Sequence, residues 1–163
     1  MGPGPAPLSL EINGQSRALE VAPNTTLLAA LRDHLDITGA KEVCDRGACG
    51  ACMVLVDGTP MNACMLLAFD CEGRAITTVE GLAAAGTLSP LQEAFIAHDA
   101  AQCGYCTSGM LISATALLRG PTAGALDHAA IAKGMAGNMC RCGSYHNIVA
   151  AIESVAGGGK EGA

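Results

Sequence analysis

Nine cysteines are the feature that most constrains this chain of 163 residues. Eight of them form two sets of four, and the ninth, Cys71, stands apart. An odd number argues against a scaffold of paired disulfides, and the polar, proline-rich start does not resemble a secretory signal peptide. We therefore predict that the cysteines bind metal ions or iron–sulfur clusters, in a cytoplasmic protein.

The first set has the spacing C-x4-C-x2-C with a fourth cysteine further on, which is typical of plant-type [2Fe–2S] proteins. Its members are Cys44, Cys49, Cys52 and Cys64. A loop wrapped around a cluster directs backbone N–H groups at the sulfurs, and Gly47 and Gly50 permit the turns this requires. Zinc also binds four thiolates, but structural zinc sites favour two short C-x2–4-C pairs, so zinc is the less favoured interpretation.

The second set consists of a C-x2-C pair, Cys103 and Cys106, and a C-x-C pair, Cys140 and Cys142. Zinc, thioredoxin-like and cluster sites all use the C-x2-C spacing. The thioredoxin motif follows a strand, whereas this pair lies among predicted helices. Zinc stays open for this set by itself, although two clusters in one chain would form an electron path. Cys71 is predicted to be a free thiol.

The residue pattern up to about residue 80 predicts several strands and one helix. Residues 8–12 alternate apolar and polar residues, 13–14 are a hairpin turn, and a second strand is expected over about 15–21. A helix is expected over about 26–35. Further strands are predicted at 53–56, 62–69 and 75–79, and the region ends near residue 80.

From about Leu88 the apolar residues follow a helical period, with Leu91, Phe95 and Ile96 predicted on one helical face. Three more helices are predicted over 107–118, 127–135 and 147–155. Four helices in so short a segment predict a small helical bundle. Residues 157–163 are expected to be a disordered tail.

Composition and charge exclude some classes of binding partner. The formal net charge of −6 and the absence of a basic run argue against nucleic acid, and no stretch approaches the ~20 apolar residues that span a membrane. With 50% hydrophobic and 15% charged residues, the chain is expected to expose an apolar surface to another protein.

Four motifs resemble the small iron–sulfur subunit of the molybdenum hydroxylases, the xanthine oxidase and aldehyde oxidoreductase family. They are GAKEVCDRGACGAC at 39–52, NAC at 62–64, QCGYCTSGM at 102–110 and GNMCRCGSY at 137–145. Many relatives read CRCTGY where this chain reads CRCGSY, which is closer to the branch of bacterial aldehyde oxidoreductases and N-heterocycle dehydrogenases.

The resemblance implies an α+β protein of two domains. Residues 1–80 would form a plant-ferredoxin-like β-grasp domain that holds one [2Fe–2S] cluster on the first set. Residues 81–163 would form a four-helix-bundle domain that holds the other cluster on the second set.

The resemblance also implies an oxidoreductase subunit that relays electrons and has no substrate site or catalytic residue of its own. Electrons would leave a molybdenum cofactor in a large partner subunit, cross both clusters and reach FAD in a medium partner subunit. Gln102 and Cys142 would contact the partner's pterin. An aldehyde or an N-heterocycle would be oxidised in the complex. The alternative is a free-standing two-cluster ferredoxin that shuttles electrons between enzymes.

Overall fold

The computed structural model describes residues 4–83, 86–121 and 126–157, in which a mixed β-sheet is followed by a helical half. Five strands form the sheet: β1 (Ala6–Ile12), β2 (Gln15–Val21), β3 (Met53–Val56), β4 (Thr59–Asn62) and β5 (Ala75–Thr77). A short helix, α1 (Leu27–Ala29), continues as a wider π turn over Ala30–His34. The helical half contains α2 (Pro90–Ala97), α3 (Thr107–Arg119), α4 (His128–Gly134) and α5 (Tyr145–Gly157).

Two tight turns form the hairpins β1–β2 and β3–β4. Asn13 and Gly14 have φ values of 52° and 74°, and Asp57 and Gly58 have 49° and 78°. Left-handed backbone at both central positions is typical of the type I′ turn, whose twist matches that of paired strands. The predicted hairpin turn at 13–14 and the second strand are thus confirmed.

The sheet has the strand order β2-β1-β5-β3-β4, in which β1 and β5 are parallel and the other pairs are antiparallel. Leu8, Leu10 and Ile12 of β1 are buried at alternate positions, and they share a core with Leu27 and Leu31. Because alternate residues of a strand point to one face, this face of the sheet carries the helix.

The prediction of a strand over 62–69 is wrong. Strand β4 ends at Asn62, and the chain turns through one 3-10 helix at Ala63–Met65 and another at Phe69–Cys71. The apolar run resembles a strand, but its first turn buries Cys64 beside the cysteine loop. The last strand is also shorter than predicted, because it ends at Thr77 and a 3-10 helix follows at Val79–Leu82.

The predicted helices of the second half are confirmed, with one side chain placed wrongly. Leu91 and Phe95 of α2 are buried, whereas Ile96 is 70% exposed. Adjacent residues on a helix point about 100° apart, and in α2 the core lies on the side of Leu91 and Phe95, which leaves Ile96 on the solvent side. The tail predicted for 157–163 lies outside the described residues beyond Gly157, which ends α5.

The two halves pack directly on one another. Val54 and Val56 of β3 belong to the core of the first half, and Leu55, on the opposite face, is buried where α3 covers the strand. The second half has its own core, built from α2 to α5. Within the described residues, no helix is long and apolar enough to span a membrane.

Candidate metal centres

The first set of cysteines, here called the loop group, consists of Cys44, Cys49, Cys52 and Cys64. The loop that carries three of them curls tightly, since Asp45, Gly47 and Gly50 have φ values of 49°, 70° and 71°. This curl directs backbone N–H groups inward: Gly47 donates to Cys64 Sγ at 3.3 Å, and Ala48 donates to Cys44 Sγ at 3.3 Å. Such N–H groups stabilise negative charge on sulfur.

The thiols of the loop group face one another in twos. The backbone N–H of Arg46 and the thiol of Cys49 lower the pKa of Cys44 to about 7. Burial raises the pKa of Cys52 to about 12, and the neighbouring Cys64 thiol contributes to this rise. A buried thiol with this pKa becomes a thiolate at neutral pH only when a cation replaces its proton.

The second set, here called the helical group, consists of Cys103, Cys106, Cys140 and Cys142. The N–H of Tyr105 and then the Cys142 thiol lower the pKa of Cys103. Burial raises the pKa of Cys106 to about 12, and the adjacent Cys140 thiol adds to the rise. The sequence placed Cys106 directly before a helix, and it is the N-cap residue of α3.

Ser144 and Tyr145 hold Cys140 in place through hydrogen bonds. Ser144 N–H donates to Cys140 Sγ at 3.4 Å. The Tyr145 phenol accepts the Cys140 N–H at 2.7 Å and donates to the Asn138 carbonyl at 3.4 Å. Burial opposes ionisation of Cys140, but the N–H of Ser144 and the thiol of Cys106 outweigh it, so the pKa is lowered.

The two groups are joined by hydrogen bonds. Met139 N–H donates to the carbonyl of Cys49 at 2.9 Å, and the buried Asn138 amide donates to the carbonyl of Gly50 at 3.2 Å. A member of the loop group is therefore one backbone hydrogen bond and one residue away from Cys140. The structure thus brings both predicted sets together and places them side by side.

The donor sets fit [2Fe–2S] clusters. Each group offers four sulfurs that meet in twos, and such a cluster needs two ligands at each of its two irons. Cys71 belongs to the core of the first half, where burial raises its pKa, and Gln102 is exposed beside Cys103.

The motif at 137–145 contains Asn138, Met139, Ser144 and Tyr145, and by itself it indicates no role for them. Their contacts with Cys140 and with the cysteine loop become visible only in three dimensions. The clustering of polar and aromatic residues around a C-x-C pair was the available signal.

Two protein-family models match the two parts of the chain that carry the loop group and the helical group. Residues 10–84 match the family model of the 2Fe-2S iron-sulfur cluster binding domain, and residues 78–153 match that of the [2Fe-2S] binding domain. The iron-sulfur-binding subunit PaoA of an aldehyde oxidoreductase from Escherichia coli strain K12 is 48% identical, over 93% of this chain and 72% of its own length. This chain belongs to the family of small iron–sulfur subunits of molybdenum hydroxylases. It is thus an electron-transfer subunit of an oxidoreductase, with two [2Fe–2S] domains.

Solved structures of relatives agree with this membership. Quinoline 2-oxidoreductase from Pseudomonas putida 86 matches with a TM-score of 0.88 and 40% identity, over 98% of this chain and 99% of that one. The aldehyde oxidoreductase of Desulfovibrio desulfuricans matches with a TM-score of 0.85 and 39% identity, over 92% of this chain but 17% of its own. There the matched part is a small portion of a much longer polypeptide.

Proposed function

We propose that this subunit carries electrons away from a molybdenum cofactor in a large partner, entering at the helical group and leaving from the loop group towards FAD in a medium partner. The observation that supports this route is the 2.9 Å hydrogen bond from Met139 N–H to the Cys49 carbonyl, which couples the two groups. When bound, each [2Fe–2S] cluster accepts and releases one electron.

The eight cysteines of the two groups are the proposed cluster ligands. The backbone around them supplies N–H donors to the sulfurs. Gly47 and Ala48 donate to sulfurs of the loop group, and Ser144 donates to a sulfur of the helical group. Cys71 ligates neither cluster in this assignment.

The exposure of the two cysteine groups supports this direction of electron transfer. Cys103 and Cys142 are exposed, as is Gln102, so the helical group is accessible to a cofactor held by another protein. On this surface we assign Gln102 and Cys142 as the contacts of the partner's pterin. Within the loop group, only Cys44 is more than slightly exposed.

Apolar side chains surround this accessible end. Val43, Tyr105 and Met139 are 56%, 50% and 59% exposed, and they line a groove of about 410 Å³ together with Cys103 and Cys140. Large exposed apolar side chains that cluster in one place are typical of protein interfaces. This groove is the proposed docking site of the molybdenum subunit.

A second exposed apolar pair flanks the loop group. Met65 follows Cys64 directly, Leu67 comes two residues later, and both are exposed. This pair is the proposed contact of the FAD subunit, on the side of the chain from which electrons would leave.

The proposed substrate of the complex is an aldehyde or an N-heterocycle, as the names of the relatives suggest.

The domain division that goes with this function is 1–80 for the loop group and 81–163 for the helical group, with α2 to α5 as a four-helix bundle. The four helices share one core, which supports the bundle. The cytoplasmic location stays a prediction from the sequence.

The test uses the assembled complex with Cys103→Ala, because alanine cannot ligate iron. Cys71→Ala is the matched control. Benzaldehyde or quinoline, whichever reduces the unaltered complex, is added without oxygen, and cluster bleaching is followed in the visible spectrum. The Cys103 variant should retain the loop-group cluster, which dithionite reduces directly but substrate does not.

The Cys71 control should bleach at the rate of the unaltered complex and keep its full iron content. Reduction of the remaining cluster by substrate at the normal rate in the Cys103 variant would contradict the route. A chain that purifies from its native source without a molybdenum-containing partner would contradict the subunit role itself.

A further inference from the structure

Ser144 has a buried hydroxyl whose role is not explained by the fold. It lies directly before α5 and is 5% exposed, and its Oγ has no hydrogen-bond partner. A serine in this position usually caps the helix by accepting an N–H of the first turn. The unpartnered oxygen means that Ser144 does not cap α5.

The chain around Ser144 folds back onto Cys140. Gly143 has a φ of 80°, and its N–H donates to the carbonyl of Cys140 at 3.3 Å. The next N–H, that of Ser144, donates to Cys140 Sγ at 3.4 Å. This N–H contact places Ser144 beside the sulfur of Cys140.

Two polar backbone groups next to the Ser144 hydroxyl already have hydrogen-bond partners. The Cys140 N–H is taken by the Tyr145 phenol, and the Ser144 carbonyl accepts the N–H of Ile148. A hydroxyl buried without a partner is unfavourable, so an acceptor is expected at this place. The Cys140 sulfur, which accepts the Ser144 N–H at 3.4 Å, is an acceptor next to this hydroxyl.

Three further hydroxyls among the described residues are buried without a partner, those of Thr107, Ser108 and Ser113. All three lie in α3, Thr107 and Ser108 as its first two residues and Ser113 in its interior, where a small rotation of the side chain brings the hydroxyl to a carbonyl of the preceding turn. Ser144 precedes its helix and has no such carbonyl. Ser113 therefore serves as a matched control for Ser144.

We propose that the Ser144 hydroxyl donates a hydrogen bond to a sulfur of the helical-group cluster and thereby raises the reduction potential of that cluster. Ser144 is then a tuning residue for electron entry. The inference rests on the proposed ligand role of Cys140. A reduced cluster carries one more negative charge than an oxidised one, so a donor at its sulfur stabilises the reduced state more.

The experiment is a redox titration of the full chain with its clusters, followed by EPR. In Ser144→Ala, one of the two one-electron steps should move to a lower potential, with a loss of about tenfold in the equilibrium constant for reduction, or about 59 mV for one electron. Ser144→Thr, which keeps the hydroxyl, should retain the original potential. Ser113→Ala should leave both steps in place.

A second measurement detects the proton itself. After transfer to D₂O, the reduced chain should lose the signal of an exchangeable proton coupled to the helical-group cluster, and Ser144→Ala should lack that signal from the start. If Ser144→Ala loses iron, Ser144→Gly provides the same test, since glycine tolerates any backbone conformation.

Unchanged potentials and an unchanged exchangeable proton in an iron-replete Ser144→Ala or Ser144→Gly chain would overturn the inference. An equal shift in Ser113→Ala would overturn it as well. The proposed ligand assignment fails separately, if Cys140→Ala retains the full iron content. Iron analysis of Cys140→Ala thus tests the ligand assignment, and the potentials of the Ser144 variants test the inference.

Discussion

Gly109 is the place where α3 meets the cysteine loop, and we predict that Gly109→Ala destabilises the protein. A Cβ at this position would overlap the carbonyl oxygen of Gly50, and it would lie 3.0 Å from the Gly50 carbonyl carbon and 3.1 Å from Ala51 Cα. All of these are backbone atoms, which cannot rotate away as a side chain can. Either the helix or the loop must move.

The sign of the effect is informative because two contributions oppose each other. Alanine stabilises a helix interior by about 1 kcal/mol relative to glycine. Forcing an extra carbon into a packed site costs about 1–3 kcal/mol, and an obstacle of backbone atoms places the cost at the upper end. The expected net loss is about 2 kcal/mol, or a fall in Tm of roughly 4–8 °C for a chain of this size.

Thermal unfolding of the full chain with its clusters, at one fixed scan rate, measures this change through circular dichroism and visible absorbance. Gly120→Ala is the matched control at the other end of α3, since its Cβ would lie 3.4 Å from the Leu117 carbonyl oxygen in ordinary contact. The control should change Tm by about 2 °C or less. A Tm of Gly109→Ala equal to or above the original would refute the close approach of α3 to the loop.

Three further changes test other parts of the structure. Cys71→Ala should leave the iron content unchanged; because burial raises the pKa of Cys71 above 9.0, it should also reduce the loss of stability that the original chain shows as pH rises beyond 9.0. Asn138→Ala removes the donor to the Gly50 carbonyl and should lower the free energy of unfolding by about 1–3 kcal/mol in thermal or urea unfolding. Tyr145→Phe leaves the Cys140 N–H without an acceptor and should cost about as much, whereas an unchanged Tm would contradict this.

Local signals in the sequence predicted much of the fold. The alternation over 8–12, the hairpin turn at 13–14 and the helical period after residue 88 each depend on neighbours a few positions away. The two cysteine sets were likewise visible, since ligand spacing is itself a local pattern. The errors came where local patterns are ambiguous, as in the apolar run 62–69, which turns where a strand was predicted.

The remaining features depend on contacts between distant parts of the chain. The close approach of Gly109 to Gly50 and the hydrogen bond from Asn138 to the Gly50 carbonyl follow from the packing of two halves. Ser144 appears in the sequence only as part of the motif at 137–145, and its surroundings in the structure show that its hydroxyl is unpartnered. Spacing could not predict any of these.

The hydrogen bonds from residues 138 and 139 to the cysteine loop form late while the chain is being synthesised. The carbonyls of Cys49 and Gly50 find these donors only after some ninety further residues have left the ribosome. Until then the loop around the first four sulfurs has its cysteines but not its finished outer contacts. The cysteine loop is therefore made before the part of the chain that holds its outer face in place.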